Sequence, residues 1–259
     1  MAQQISYIIC TSPRSGSTML ATGLWQTNIA GRPAEYFHSS IQIDVTTSKR
    51  LGVTSDREYM EKVKNVSTTE NGVFGMKLHA YQTRFLISKI EHHRSMYFPS
   101  LREAIETEFP GVRYIFLRRE NDKVKQAVSY YRALLTNEWW RFRGKNPPPE
   151  DSTIEYYELG IRKCLDHITE SDTYWEQYFL KHGLSPLRLT FEEITGDYEG
   201  AIRRTLSYLG LPCDIPIAPP ATVKISNDRS LVWEKKFLED QKLSGAPAFR
   251  TVHKMGAPF

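Results

Sequence analysis

Between Thr11 and Thr18 the chain reads TSPRSGST, after the apolar run Ile5–Cys10 and before the helix-compatible MLATGLWQT. Strand, polar turn and helix in that order frame a phosphate-binding loop, whose consensus is Gly-x-x-x-x-Gly-Lys-Ser/Thr. On that consensus Thr11 stands for the first Gly, Gly16 is the second, Ser17 replaces the Lys and Thr18 keeps the last hydroxyl. In NTPases the Lys contacts the β- and γ-phosphates while the hydroxyl holds Mg²⁺. Losing it weakens a reading as triphosphate chemistry. A cation remains at Arg14, and backbone N–H groups at the start of a helix still cradle an anion. The loop therefore suits phosphate or sulfate.

Further along lie other groups able to do chemistry. Glu35 sits in the loop segment GRPAEYF. Lys77 and His79 lie two apart in FGMKLHAYQ, so on a strand they share a side. Glu35 and His79 compete for the role of general base, and Lys77 can stabilise an oxyanion beside either. Arg118 and Arg119 end the strand-like VRYIFLRR, at the end of a parallel strand where ligands of open α/β sheets bind. Alternation points the two arginines in opposite directions. Trp139 and Trp140 in NEWWRFRGK mix aromatic faces with polar donors, which suits a sugar as well as core packing. Trp25, Trp175 and Trp233 fall in helical patterns and read as core.

SPRSGSTML resembles the 5′-phosphosulfate loop of sulfotransferases that use 3′-phosphoadenosine-5′-phosphosulfate (PAPS), most nearly the bacterial trehalose 2-sulfotransferase type. GRPAEYF, FGMKLHAYQ, YIFLRRENDKVKQAVSYYRA, TFEEITGDYEGAIRRTLSYLGLP and NDRSLVWEKKF resemble that family's segments in the same order and together span most of the chain. The resemblance implies that Arg14, Ser15, Gly16, Ser17 and Thr18 hold the 5′-phosphosulfate. It implies that Arg118, assisted by Ser129, pairs with the 3′-phosphate, Arg119 being the alternative. Glu35 resembles the family's catalytic Glu, and is ranked ahead of His79, which mirrors the Lys-x-His of cytosolic sulfotransferases. The acceptor is then a carbohydrate, trehalose-like, or another small alcohol. Trp139 and Trp140 are the candidate acceptor contacts. The resemblance also suggests a homodimer. A sulfuryl group carries less negative charge than a terminal phosphoryl group, so fixed donors can replace a metal, and none is expected. The alternatives are a small-molecule kinase with a degenerate loop and a non-catalytic nucleotide-binding protein.

The elements that must position these groups alternate between strand and helix. Strands are expected at Ile5–Cys10, Val73–Leu78, Val112–Leu117 and in LRLTF, with helices between them. Capping boxes at Ser55–Glu58, Ser100–Glu103 and Ser152–Glu155 mark three helix starts. Val124, Ala127, Val128, Tyr131 and Leu135 form one apolar stripe. Pro110-Gly111 and Gly183 end helices, NIAGRPAEYF and RGKNPPPED are loops, and SLVWEKKFLED is a last helix. This order implies a three-layer α/β fold with a central parallel sheet, P-loop-like, in one domain over residues 1–259; the resemblance makes it a sulfotransferase fold.

Composition is that of an ordinary globular chain, 40% hydrophobic and 25% charged. A formal charge of +4 is too small to argue for nucleic acid. No run approaches the ~20 apolar residues of a membrane span. Cys10, Cys164 and Cys213 are scattered and odd in number, so a disulfide framework is not expected and a cytoplasmic site is.

Overall fold

A computed structural model of the protein describes residues 5–38, 41–146 and 154–243. Its centre is a parallel sheet of β1 (Ile5–Thr11), β2 (Val73–His79), β3 (Arg113–Arg118) and β4 (Leu187–Thr190), in the order β2-β1-β3-β4. The helices are α1 (Ser17–Gln26), α2 (Ile41–Leu51), α3 (Asp56–Ser67), α4 (Thr83–Arg94), α5 (Leu101–Glu108), α6 (Lys123–Thr136), α7 (Glu158–Lys181), α8 (Phe191–Gly196), α9 (Tyr198–Tyr208) and α10 (Asp228–Leu243). A single 3₁₀ turn, Ala80–Gln82, follows β2. The expected three-layer α/β architecture is the one observed.

Strand alternation divides the core. Ile8, Cys10, Phe74, Met76, Leu78 and Phe116 face the helices α3, α4, α5 and α7. Tyr7, Ile9, Ile115, Leu117 and Leu189 face α1 and α9. A third cluster joins α6, α7 and α10 through Val128, Ile161, Trp233 and Phe237. Thr11 pairs with His79 on one side and Leu117 on the other, so β1, β2 and β3 end level and bring their last residues to one rim.

Several expectations need correction. The helix expected from Ser152 begins at Glu158, capped by Tyr157; Ser152 itself and Pro147–Asp151 lie outside the described residues. The apolar stripe of α6 is rotated. Gln126, Ala127, Val128, Tyr130 and Ala133 are buried while Leu135 is exposed, because Gln126 is turned inward to donate to Ser12 Oγ (3.2 Å) and the Pro13 carbonyl (2.7 Å). Trp25 is 46% exposed at the end of α1 rather than core, whereas Trp175 and Trp233 are buried. Helix α2 was not anticipated: IQIDVTTSKRL has β-branched residues in its middle and no capping signature.

Every residue of β2 is buried although β2 is an edge strand. Its free edge is covered by the segment 30–37, which runs beside it: Lys77 N–H donates to the Ala34 carbonyl (3.0 Å) and Tyr7 Oη to that of Ala30 (2.6 Å). Gly31 makes this approach feasible. Its φ is +70°, and a Cβ there would lie 2.8 Å from Gly75 N and 3.0 Å from the Val73 carbonyl oxygen. Gly52 has a similar φ, +68°, but open space around it. Gly31→Ala is therefore expected to cost about 1–3 kcal/mol of stability, with Gly52→Ala costing clearly less. Urea unfolding of both variants checks this, and equal losses would mean that close backbone approach is not what Gly31 provides.

Candidate active site

The loop between β1 and α1 is held from three sides. Thr11 Oγ1 donates to the Leu117 carbonyl (2.8 Å), so at 2.5 Å the Ser15 hydroxyl is the donor to Thr11 Oγ1. Gln126 clamps Ser12 and Pro13 from α6. The Thr11 carbonyl accepts from Trp175 Nε1 (3.2 Å) and faces His79 Nδ1 (3.2 Å). Arg14 and Gly16 both take positive φ, 64° and 84°. Gly16 caps α1 and brings no side chain to bond the helix start, so the first backbone N–H groups of the helix are ones an anion could take. Phe191 packs against Gly16, where a Cβ would meet its ring at 2.8 Å.

The residues expected to line the loop divide by what they can offer. The hydroxyl of Ser15 is buried and used internally, and Ser17 is buried too, so each presents backbone rather than side chain. Thr18 Oγ1 accepts from Lys77 Nζ at 3.2 Å. Arg14 Nε donates to Ser129 Oγ (3.0 Å) and its guanidinium to the Trp139 carbonyl. Burial draws the Arg14 guanidinium down to about 10, Glu138 opposes this, and Arg119 adds to it. Arg14, Ser129 and Arg119 thus lie together beside the loop.

Glu35 meets Lys77 and His79 as their spacing requires. Its Oε1 lies 2.7 Å from Lys77 Nζ and 3.3 Å from His79 Nε2, and its Oε2 accepts from Gln82 Nε2 at 3.2 Å. Burial alone would raise the Glu35 carboxyl, but Lys77 and His79 together hold it well below the usual carboxylate range. The carboxylate is therefore ionised at neutral pH. Both ring nitrogens of His79 face acceptors, Nδ1 the Thr11 carbonyl and Nε2 the Glu35 carboxylate. Both nitrogens are thus engaged within the site, one by the loop and one by the carboxylate. Lys77 reaches the carboxylate and the loop hydroxyl of Thr18 at once, which joins the two halves of the site.

Arg118 and Arg119 point to opposite sides, as their alternation requires. The Arg118 guanidinium bonds Glu176 (2.8 Å) and Glu120 (2.5 Å) and lies over Phe116. Arg119, one residue on, is buried on the loop side. It stacks over Phe191 with 4.5 Å to the ring centroid, pairs with the Glu192 carboxylate at 3.8 Å, and among the described residues its Nε has no hydrogen-bond partner. The two tryptophans lie in different surroundings. Trp139 packs on the third core cluster and donates its indole N–H to Asn137 (2.9 Å), and Trp140 is 52% exposed.

Sequence reasoning passed over Gln82, Gln126, Tyr81 and His167. A glutamine two or three residues past a candidate base, or on the buried stripe of a helix, was the available signal. Tyr81 and His167 gave none, because their meeting with the centre depends on α7 crossing the end of β2.

The matches to known proteins follow the same outline. The family model described as Stf0 sulphotransferase matches residues 6–240. The trehalose 2-sulfotransferases of Mycobacterium tuberculosis and Mycolicibacterium smegmatis are 26% and 24% identical over 265 aligned residues, with 93% of this chain and 97% of each relative covered. A crystal structure of a sulfotransferase from Alicyclobacillus acidocaldarius superposes with a TM-score of 0.51 at 15% identity, over 95% of this chain and 98% of that one, a likeness of fold. With the family model spanning most of its length, and a carboxylate and an ammonium set against an anion loop, the chain belongs to the Stf0 sulphotransferase family, enzymes that transfer sulfate.

Proposed function

We propose that the enzyme takes its sulfuryl group from PAPS and moves it to a hydroxyl of a trehalose-like carbohydrate. The observation that carries this reading is the ionised Glu35 carboxylate paired with Lys77, itself bonded to the loop residue Thr18. The named activity of the two mycobacterial relatives supports the acceptor class.

In this reading the loop N–H groups, Arg14 and Thr18 bind the 5′-phosphosulfate. Arg119 and Ser129 take the 3′-phosphate, the buried and incompletely paired guanidinium being suited to an added anion. Glu35 accepts the proton of the acceptor hydroxyl as its oxygen bonds to sulfur. The S–O bond to the 5′-phosphate breaks and leaves 3′-phosphoadenosine 5′-phosphate. Lys77 has two tasks. Before the donor binds it neutralises Glu35; with the donor bound it turns to the sulfuryl oxygens, which strengthens Glu35 as a base when a proton must be taken. His79 and Gln82 fix the orientation of the carboxylate. The three cysteines are free, and we place the enzyme in the cytoplasm on that usage.

Transfer of labelled sulfate from PAPS to a sugar in excess EDTA tests this reading. Glu35→Gln is expected to lower kcat by about 10²–10⁴-fold with little change in PAPS affinity, and His79→Ala to cost less. Phosphate transfer from ATP with strict Mg²⁺ dependence would falsify the reading, and a near-wild-type Glu35→Gln would remove Glu35 from the base's place.

The assignment of the 3′-phosphate separates by ligand. Arg119→Ala is expected to weaken PAPS at least about tenfold, since a charged hydrogen bond contributes ~1.5–3 kcal/mol. Adenosine 5′-phosphosulfate, which has no 3′-phosphate, is expected to bind that variant almost as before. Arg118→Ala is expected to leave both ligands unchanged, and Arg14→Ala to weaken both. Calorimetric titration decides; a PAPS-selective loss in the Arg118 variant alone would restore Arg118 to the site.

A further inference from the structure

One flank of the Glu35 centre is built of rings. His79 lies parallel to Tyr81, with centroids 5.4 Å apart and planes 6° from coplanar. Tyr81 meets His167 of α7 edge-on at 5.3 Å, and His167 meets Tyr130 of α6 at 5.7 Å and 78°. Tyr130 in turn meets Trp139 at 6.0 Å. The series begins at a ring held to the Thr11 carbonyl and ends at the residue whose carbonyl holds Arg14. It therefore links the Thr11 end of the loop to Arg14 at its middle. The charge of Glu35 reaches both phenols: burial raises Tyr81, and raises Tyr130 to about 12, and in each the carboxylate adds to the effect. Burial, then the nearness of His79, lowers His167. All three rings are thus uncharged at neutral pH.

Among the described residues, neither the Tyr130 hydroxyl nor the His167 ring is held by a hydrogen bond, so both remain available to a ligand. The neighbouring tryptophans are less suited. Trp139 has its N–H bonded to Asn137 and its ring against the third core cluster, and Trp140 faces solvent.

We propose that Tyr81, His167 and Tyr130 form the acceptor subsite, and that the acceptor they take is an uncharged sugar. Its C–H face packs on the rings, its hydroxyls bond Tyr130 and His167, and the reacting hydroxyl meets Glu35. An anionic sugar would bring a second negative charge beside Glu35, and none of these three rings carries a positive charge to meet it. The proposal rests on Glu35 being the base, as argued above.

Saturation-transfer NMR and transfer kinetics on the full chain test it, with trehalose, maltose and lactose as probes. His167→Ala is expected to raise the KM of the preferred sugar about tenfold and to weaken its NMR signal, with PAPS affinity unchanged. His167→Phe, which keeps a ring, is expected to recover part of the loss, and Trp140→Ala to alter neither quantity. A sugar phosphate is expected to bind more weakly than its parent sugar. Unchanged sugar binding in His167→Ala, a KM increase confined to Trp140→Ala, or no signal from any of the sugars with wild-type protein would overturn the subsite. Sugar binding that depends on His167 without sulfate transfer from PAPS would instead leave the subsite standing and refute the proposed function.

Discussion

The pair formed by Glu35 and Lys77 is the interaction on which the site depends. The two residues lie 42 positions apart, one in a loop without secondary structure and the other in an edge strand buried along its whole length. The Lys77 side chain is 7% and that of Glu35 22% exposed, so each charge is largely withdrawn from water and compensated by the other. Removing one partner of such a pair costs about 3–5 kcal/mol, because the other is left desolvated and uncompensated. The surrounding structure serves to keep them in register. Gly31 lets the loop approach Gly75, the Ala34 carbonyl takes the N–H of Lys77 itself, and Gln82 occupies the second carboxylate oxygen. The backbone bond from Lys77 N–H to the Ala34 carbonyl fixes the residue before Glu35 against the strand that carries Lys77.

The position of the pair follows from strand order. In a sheet ordered β2-β1-β3-β4 the chain leaves β1 toward one neighbour for β2 and toward the other for β3. The reversal opens a crevice at the carboxyl end of β1, where ligands of open α/β sheets bind. β1 delivers the anion loop into it, β2 delivers Lys77 and His79 from one side, and β3 delivers Arg119 from the other. The loop lacks the P-loop lysine, and an ammonium reaches it from β2. Lys77 bonds Thr18, the hydroxyl that would hold Mg²⁺ in an NTPase. A cation from another strand is free to be shared with a base, which a lysine fixed within the loop would not be.

Much of this was legible in the sequence because it is written in local patterns. The strand–loop–helix frame, the two-residue spacing of Lys77 and His79, and the serine caps of α3 and α5 all depend on neighbours in the chain, and the structure shows them. What was less legible depends on partners that only the fold supplies. Alternation separated Arg118 from Arg119, but only the position of Phe191 against Gly16 identifies which of them faces the loop. The α6 stripe was taken from apolar residues alone, and Gln126 replaced Leu135 on the buried face because the loop carbonyl of Pro13 needs a donor there. Trp139 and Trp140 drew attention as adjacent aromatics, whereas the rings that gather at Glu35 come from three distant segments.

The account stands or falls on the electrostatic state of Glu35 and its response to the donor. A carboxyl held low when folded contributes stability that is present above its unfolded value, about 4.3, and is lost as pH falls through the folded one. Carbon-13 NMR of the Glu35 carboxyl, followed against pH with and without PAPS and in the absence of acceptor, reads this directly. The free protein is expected to keep the carboxylate ionised to well below 4.5. PAPS is expected to move the titration upward as Lys77 turns to the sulfuryl oxygens. A carboxyl that titrates in the ordinary range without the donor, or that does not respond to PAPS, would contradict the account.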